Sequence, residues 1–149
     1  MLVAIDIGNT NILIGIIDSK GLIQNQHRIS TVDLLNKEKS TLIELDNIFN
    51  DLNSISDYNF IIASVVPEAC NHLNQKLKEI NVSANILSST DKVLGMKIDI
   101  DKPSELGTDR IVNAIAAVDE YKAPLVVIDF GTATTFDIID SDRTYKGGL

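Results

Sequence analysis

Asp6 and Asp129 lie 123 residues apart, and each holds the same place in a repeated pattern. The first copy reads LVAIDIGNTNILIGIID from Leu2 to Asp18, and the second reads LVVIDFGTATTFDIID from Leu125 to Asp140. In both, an aspartate near the end of an apolar run precedes a glycine by two residues, and small hydroxyl or amide residues follow. By simple counting Gly8 matches Gly131, Thr10 matches Ala133 and Asn11 matches Thr134. A glycine at such a turn lets backbone N–H groups approach a ligand closely. The turn can then hold phosphate through its amides and the hydroxyl of Thr10 or Thr132, but a carboxylate beside phosphate repels it unless a cation lies between them. Asp6 therefore suits Mg²⁺ held through water, because that ion dehydrates reluctantly, and Asp129 can face the same ligand from the other copy. A single copy is better read as a plain hairpin with a solvated aspartate. The repetition favours phosphate binding.

These residues need strands to carry them. Leu2 to Ile7 is an apolar run entering a turn at Gly8, Asn9 and Thr10; Asn11 to Asp18 and Leu22 to Ile29 follow as further strands. Leu42, Leu45, Ile48, Phe49 and Leu52 recur at helical spacing, with Thr41 and Glu44 placed as a capping box. Phe60 to Val66 reads as a strand buried on both faces and stopped by Pro67, before a helix carrying Ala69, Leu73, Leu77 and Ile80. Ala84 to Leu87 is a short strand. Lys97 to Arg110 is polar, is interrupted by Pro103 and Gly107, and reads as a loop. Thr108 is then the expected N-cap of a helix with Ile111, Ala114, Ile115 and Val118 on one face. Strands at Leu125 to Asp129 and Ala133 to Asp140, and a third starting near Thr144, complete an α/β pattern with a mixed sheet.

Composition narrows the function classes. The 149 residues are 44% hydrophobic and 23% charged, with 13 basic against 21 acidic side chains and a formal net charge of −8. Such a chain can bury a core, and its charge repels nucleic acid backbones and anionic lipid, so neither is an expected partner. No apolar run approaches a membrane span, and no secretory leader is legible at the N-terminus. Cys70 has no second cysteine to pair with, which fits a cytoplasmic location. No basic neighbour in sequence activates it, so a small buried residue is expected there. Tyr121 and Tyr145 read as aromatic surface.

Taken together, DIGNTN at Asp6, SVVP at Ser64, GTDR at Gly107 and DFGTATTFD at Asp129 are similar, in order and spacing, to the type III pantothenate kinase family. That family is part of the acetate and sugar kinase, Hsc70 and actin superfamily. The resemblance runs through the whole chain. It implies a ribonuclease H-like, actin-like ATPase fold, a mixed sheet flanked by helices and duplicated in the intact family. Residues 1–123 would form the first domain and 124–149 the start of the second. It further implies ATP-dependent phosphorylation of pantothenate at its primary hydroxyl, the first step toward coenzyme A, with Mg²⁺ and K⁺ or NH₄⁺ as cations and a homodimer as the intact assembly.

Residue by residue, the resemblance makes Asp6, Ile7, Gly8, Asn9, Thr10, Asn11, Ile12 and Leu13 the first ATP-phosphate loop and gives Thr132 an ATP contact from the second. Asp129 would bind the monovalent cation. Gly107, Thr108, Asp109 and Arg110 would bind pantothenate, with Asp109 as the catalytic base. The chemistry is sound: a carboxylate within reach can take the proton of a weakly nucleophilic alcohol, and the dipole of a helix's first turn favours its ionised form. Arg110 can serve the substrate's carboxylate or the transferred phosphoryl group. Without the resemblance, Asp109 and Arg110 would more simply cap and brace their helix.

Two departures stand out. Ile100 and Lys102 lie where the family commonly has Tyr and the Asn of Asn-Pro, so a polar contact to pantothenate is lost or supplied elsewhere. The sequence also stops at KGGL, Lys146 to Leu149, inside what looks like the next glycine-rich motif. An incomplete kinase with little catalysis of its own and an exposed apolar edge prone to self-association is the expectation. Two other classes share the superfamily fold: a nucleotide-binding regulatory protein and a phosphatase that activates water instead of an alcohol.

Overall fold

The computed structural model describes residues 1–52, 57–91 and 95–149. They group into two compact units, Met1–Leu87 and Ser88–Leu149.

In the first unit, β1 (Leu2–Ile7), β2 (Asn11–Ile17) and β3 (Ile23–Ser30) form the antiparallel meander that the turn residues predict. Two helices follow, α1 (Thr31–Leu35) and α2 (Lys39–Asn50), then β4 (Asn59–Ser64), α3 (Pro67–Glu79) and β5 (Ala84–Ile86). The strand order is β3-β2-β1-β4-β5, with β4 parallel to β1 and β5 parallel to β4. Alternation along β1 and β2 sends Val3, Ile5, Ile7, Ile12, Ile14 and Ile16 into one core, which Leu45, Ile48 and Phe49 of α2 and Leu73 and Leu77 of α3 share with Phe60 and Ile62 of β4. Pro67 starts α3 at a position where its missing N–H costs nothing.

Two local readings change. The proposed capping box is absent: Leu42 N–H already donates to Glu38 O, so α2 begins two residues before Thr41, and that threonine is buried inside the helix. The short helix α1 has no apolar period long enough to read from sequence. Its signal is local, Ser30 accepting from Asp33 N–H as an N-cap.

The second unit holds β6 (Lys97–Ile98), α4 (Thr108–Glu120), β7 (Leu125–Phe130), β8 (Thr134–Ile139) and β9 (Thr144–Gly148), with a 3₁₀ turn at Pro103–Glu105. Its sheet runs β6-β9-β8-β7. The loop expected over Lys97 to Arg110 thus contains a strand: β6 pairs in parallel with β9, Lys97 opposite Thr144 and Ile98 opposite Tyr145, a long-range partner that no local pattern announces. Helix α4 packs in this unit, because Ala114 shares a core with Ile139 and Tyr145. Compactness therefore divides the chain at Leu87/Ser88, whereas the repeated motif divides it at 123/124.

Only one face of the β7–β8 hairpin is covered. On the other, Val126 lies opposite Ile138 and Ile128 opposite Phe136, with Phe130 at the strand end, and all five are exposed. The apolar exposure is a face as well as an edge. Among the described residues no helix is long and apolar enough to cross a membrane. Exposed apolar faces of this kind promote association in water. Replacing the cross-strand pair Ile128 and Phe136 with threonine should raise the concentration at which the chain self-associates, read by light scattering, while chemical denaturation moves by less than about 0.5 kcal/mol.

Candidate functional site

The first turn is built on the end of the β1–β2 ladder, where Asp6 faces Leu13 and Ile7 faces Ile12. Gly8 N–H donates to Asn11 O across the turn at 3.0 Å. A side chain on Gly8 would place its Cβ 3.3 Å from that same oxygen, which is tight enough to favour glycine. The remaining carbonyls are tied back by one residue absent from the sequence reading. Thr31, 1% exposed at the start of α1, donates its hydroxyl to Gly8 O (2.8 Å) and its N–H to Thr10 O (3.0 Å). Asp6, Asn9 and Thr10 are exposed, Asn11 and Leu13 are partly buried, and Ile7 and Ile12 are wholly buried. Those two isoleucines can therefore meet a ligand only through their backbone.

The second turn is not a copy of the first. Phe130 pairs with Thr134 and Asp129 with Thr135, so three residues separate the last pair where the first hairpin has four. Gly131 N–H accordingly bonds Ala133 O at 3.1 Å, one residue nearer than in the first turn. The match of Asn11 to Thr134 by counting fails in register: Leu13 faces Asp6, and its counterpart facing Asp129 is Thr135. A one-residue slip exchanges the faces of every side chain beyond the turn. A Cβ on Gly131 would meet only ordinary contacts, so the steric case for glycine is weaker here. Thr132 is exposed at the turn.

The GTDR residues open α4. Gly107, not Thr108, is the N-cap, because Thr108 already has helical geometry and is buried in the first turn. Asp109 is partly buried, and its Oδ1 accepts the N–H of Arg110 at 2.8 Å. One turn further on, Asn113 Nδ2 donates to Asp129 Oδ2 at 3.4 Å, linking α4 to the aspartate of β7.

Arg110 is engaged by a residue the sequence reading passed over. Its Nε and Nη2 each lie 2.7 Å from Oδ1 of Asp137, a β8 carboxylate with no exposed surface. Nη2 also donates to Phe136 O (3.1 Å) and Leu149 O (3.5 Å). Tyr145 donates its hydroxyl to the same Asp137 oxygen and is itself wholly buried, so it is core and not aromatic surface. Burial and the adjacent Asp137 carboxylate push the Tyr145 phenol above the ordinary tyrosine range. Gly148 lies opposite Asp137, and a side chain there would collide with Phe136 O and the Arg110 guanidinium. Asp137 and Arg110 close the DFGTATTFD and GTDR segments, but nothing in either segment says that the two side chains pair.

Elsewhere, the Ser64 hydroxyl of the SVVP segment accepts from Val66 N–H and donates to Val66 O, both at 3.1 Å. With Pro67, Cys70, Asn71 and Ile86 it lines a hollow of about 250 Å³. Burial pushes the Cys70 thiol up, as suits an unreactive cysteine.

Among the described residues no three His, Cys, Asp or Glu side chains group as a ready-made metal site. Asp6, exposed at its turn, is a single carboxylate of the kind Mg²⁺ takes together with water. Asp129 is partly buried, with one oxygen held by Asn113.

Hairpin-linked strands, a parallel crossover and helices on the sheet recur in a solved structure of low sequence identity. A crystal structure described as a 2-dehydro-3-deoxygalactonokinase protein from Sinorhizobium meliloti matches all of this chain and 52% of its own, with a TM-score of 0.59 at 15% identity. Residues 2–149 match the model of the type III pantothenate kinase family, and the chain belongs to that family. It is 40% identical over 155 residues to a type III pantothenate kinase of Citrifermentans bemidjiense and 41% identical over 154 residues to one of Paramagnetospirillum magneticum. Each match covers 99% of this chain but only 58% and 57% of the relatives, so the chain spans little more than half their length.

Two outcomes follow from this geometry. Thr31→Val keeps the shape but strips the brace from Gly8 O, and should cost about 1–3 kcal/mol in chemical denaturation. Tyr145 binds its proton more tightly folded than unfolded, so its contribution is whole below about pH 10 and is lost as pH rises beyond it. Between neutral pH and strongly alkaline buffer the parent chain should therefore lose more stability than Tyr145→Phe, compared by urea titration.

Proposed function

We propose that the protein carrying these residues is an ATP-dependent kinase that phosphorylates pantothenate at its primary hydroxyl. The observation that carries this reading is the first turn of α4. There a partly buried carboxylate, Asp109, sits beside a guanidinium whose position is fixed by Asp137, in a chain matched to the family from residue 2 to residue 149.

In this reading the turn at Asp6 to Leu13, braced by Thr31, cradles ATP phosphates through its backbone amides, and Thr132 adds a hydroxyl. Asp6 holds Mg²⁺ through water, and Asp129 holds K⁺ or NH₄⁺; when bound, these cations neutralise charge on the phosphates. Gly107 to Arg110 binds pantothenate. The hydroxyl oxygen attacks the γ-phosphorus, the bond to the β-phosphate oxygen breaks, and Asp109 accepts the hydroxyl proton. The family's duplication places residues 1–123 in one copy and opens the next at 124–149, a division by motif and not by packing. A cytoplasmic homodimer completes the reading.

Pantothenate-dependent release of ADP, measured with and without potassium, tests it. Asp109→Asn should lower kcat by about 10²–10⁴-fold with pantothenate KM changing far less, because the proton acceptor acts in the transition state. ATP turnover indifferent to pantothenate would sink the proposal.

A further inference from the structure

The group around Asp137 plays no direct part in that chemistry, yet it is costly to build. One carboxylate oxygen, Oδ1, accepts from Arg110 Nε and the Tyr145 hydroxyl and also lies 2.7 Å from Arg110 Nη2 as an ion pair. The other, Oδ2, is buried with no partner among the described residues. A brace between α4 and β8 needs none of this, since apolar side chains of similar volume usually serve as well as a buried ion pair. What the charge pair adds is direction. With Nε and Nη2 committed to Asp137 and the Phe136 carbonyl, the guanidinium cannot swing, and Nη1 is the donor nitrogen without a protein partner among the described residues. Gly148 keeps the space that the guanidinium crosses.

We propose that Asp137, steadied by Tyr145, is the positioning residue that aims Arg110, so that Nη1 meets an anionic oxygen of the reacting pair. That oxygen belongs either to the carboxylate of pantothenate or to the phosphoryl group in transfer. The inference rests on the acceptor reading above. A rigid guanidinium loses little freedom on binding an anion, whereas an untethered one must be ordered each time.

The test uses the protein carrying these residues at the full length of its family relatives and compares the parent with Asp137→Asn, Arg110→Ala and the double variant, measuring pantothenate affinity, affinity for pantothenyl alcohol, ATP affinity and kcat. If Arg110 meets the carboxylate, Asp137→Asn weakens pantothenate about tenfold and leaves pantothenyl alcohol and ATP unchanged. If it meets the phosphoryl group, kcat falls about tenfold at constant pantothenate affinity. In either case the double variant is no worse than Arg110→Ala, because Asp137 acts only through Arg110. A structural role alone would move pantothenate and ATP affinity together. Should Asp137→Asn fail to fold, Tyr145→Phe, which keeps the ion pair, carries the same comparison with an expected loss of about two- to fivefold. Pantothenate affinity and kcat within twofold of the parent, or losses that add to those of Arg110→Ala, would overturn the proposal. A parent chain that neither binds nor phosphorylates pantothenate would overturn the acceptor reading itself, and is told apart because every variant then matches it.

Discussion

A carboxylate without solvent must be paired, and in the second unit that requirement falls on Asp137. Among the described residues its cationic partner is Arg110, on a different element, so the charge ties the first turn of α4 to β8. Tyr145 brings β9 to the same oxygen, and Gly148 leaves room for the guanidinium to pass. The apolar contribution here is small, with Ala114, Ile139 and Tyr145 as the buried residues of the core. The placement of Asp109 thus depends on a polar contact two elements away, since Asp109 follows the backbone that Arg110 anchors.

The first unit reaches its turn by a different route. A large core of isoleucines, leucines and phenylalanines sets the sheet, and the turn projects from the end of the β1–β2 ladder. Its backbone is held by Thr31, whose hydroxyl and N–H take the two carbonyls that would otherwise compete for water or ligand. The turn is therefore held at Gly8 O and Thr10 O, with the side chains of Asp6, Asn9 and Thr10 exposed. The second turn, one residue shorter, changes which strand residue faces the aspartate. The two sites that looked alike in one dimension are related but not interchangeable.

Much of the architecture was legible. Apolar runs and turn residues announced β1 to β4, the helical period announced α2, α3 and α4, and the repeated Asp-x-Gly pattern pointed to both hairpins. Readings failed where the deciding partner was distant or the signal short. Strand β6 exists because β9 offers it a ladder, and α1 is too brief for periodicity to register. The start of α2 was misplaced because a backbone bond from Leu42 to Glu38 outweighed a plausible side-chain cap. Tyr145 read as surface because its burial depends on α4 and β8 converging over it.

The sequence by itself determined the class of fold, the family, and the positions of Asp6, Asp109 and Asp129 relative to strand ends and a helix start, because these follow from local pattern. Tertiary structure alone decided that the second hairpin is out of step with the first, that Thr31 braces the first turn, and that Arg110 is held by an Asp137 to which Tyr145 also donates. Register and charge pairing are contacts between segments far apart in the chain. No run of neighbouring residues encodes them, and they are settled only when burial forces each polar group to find a partner.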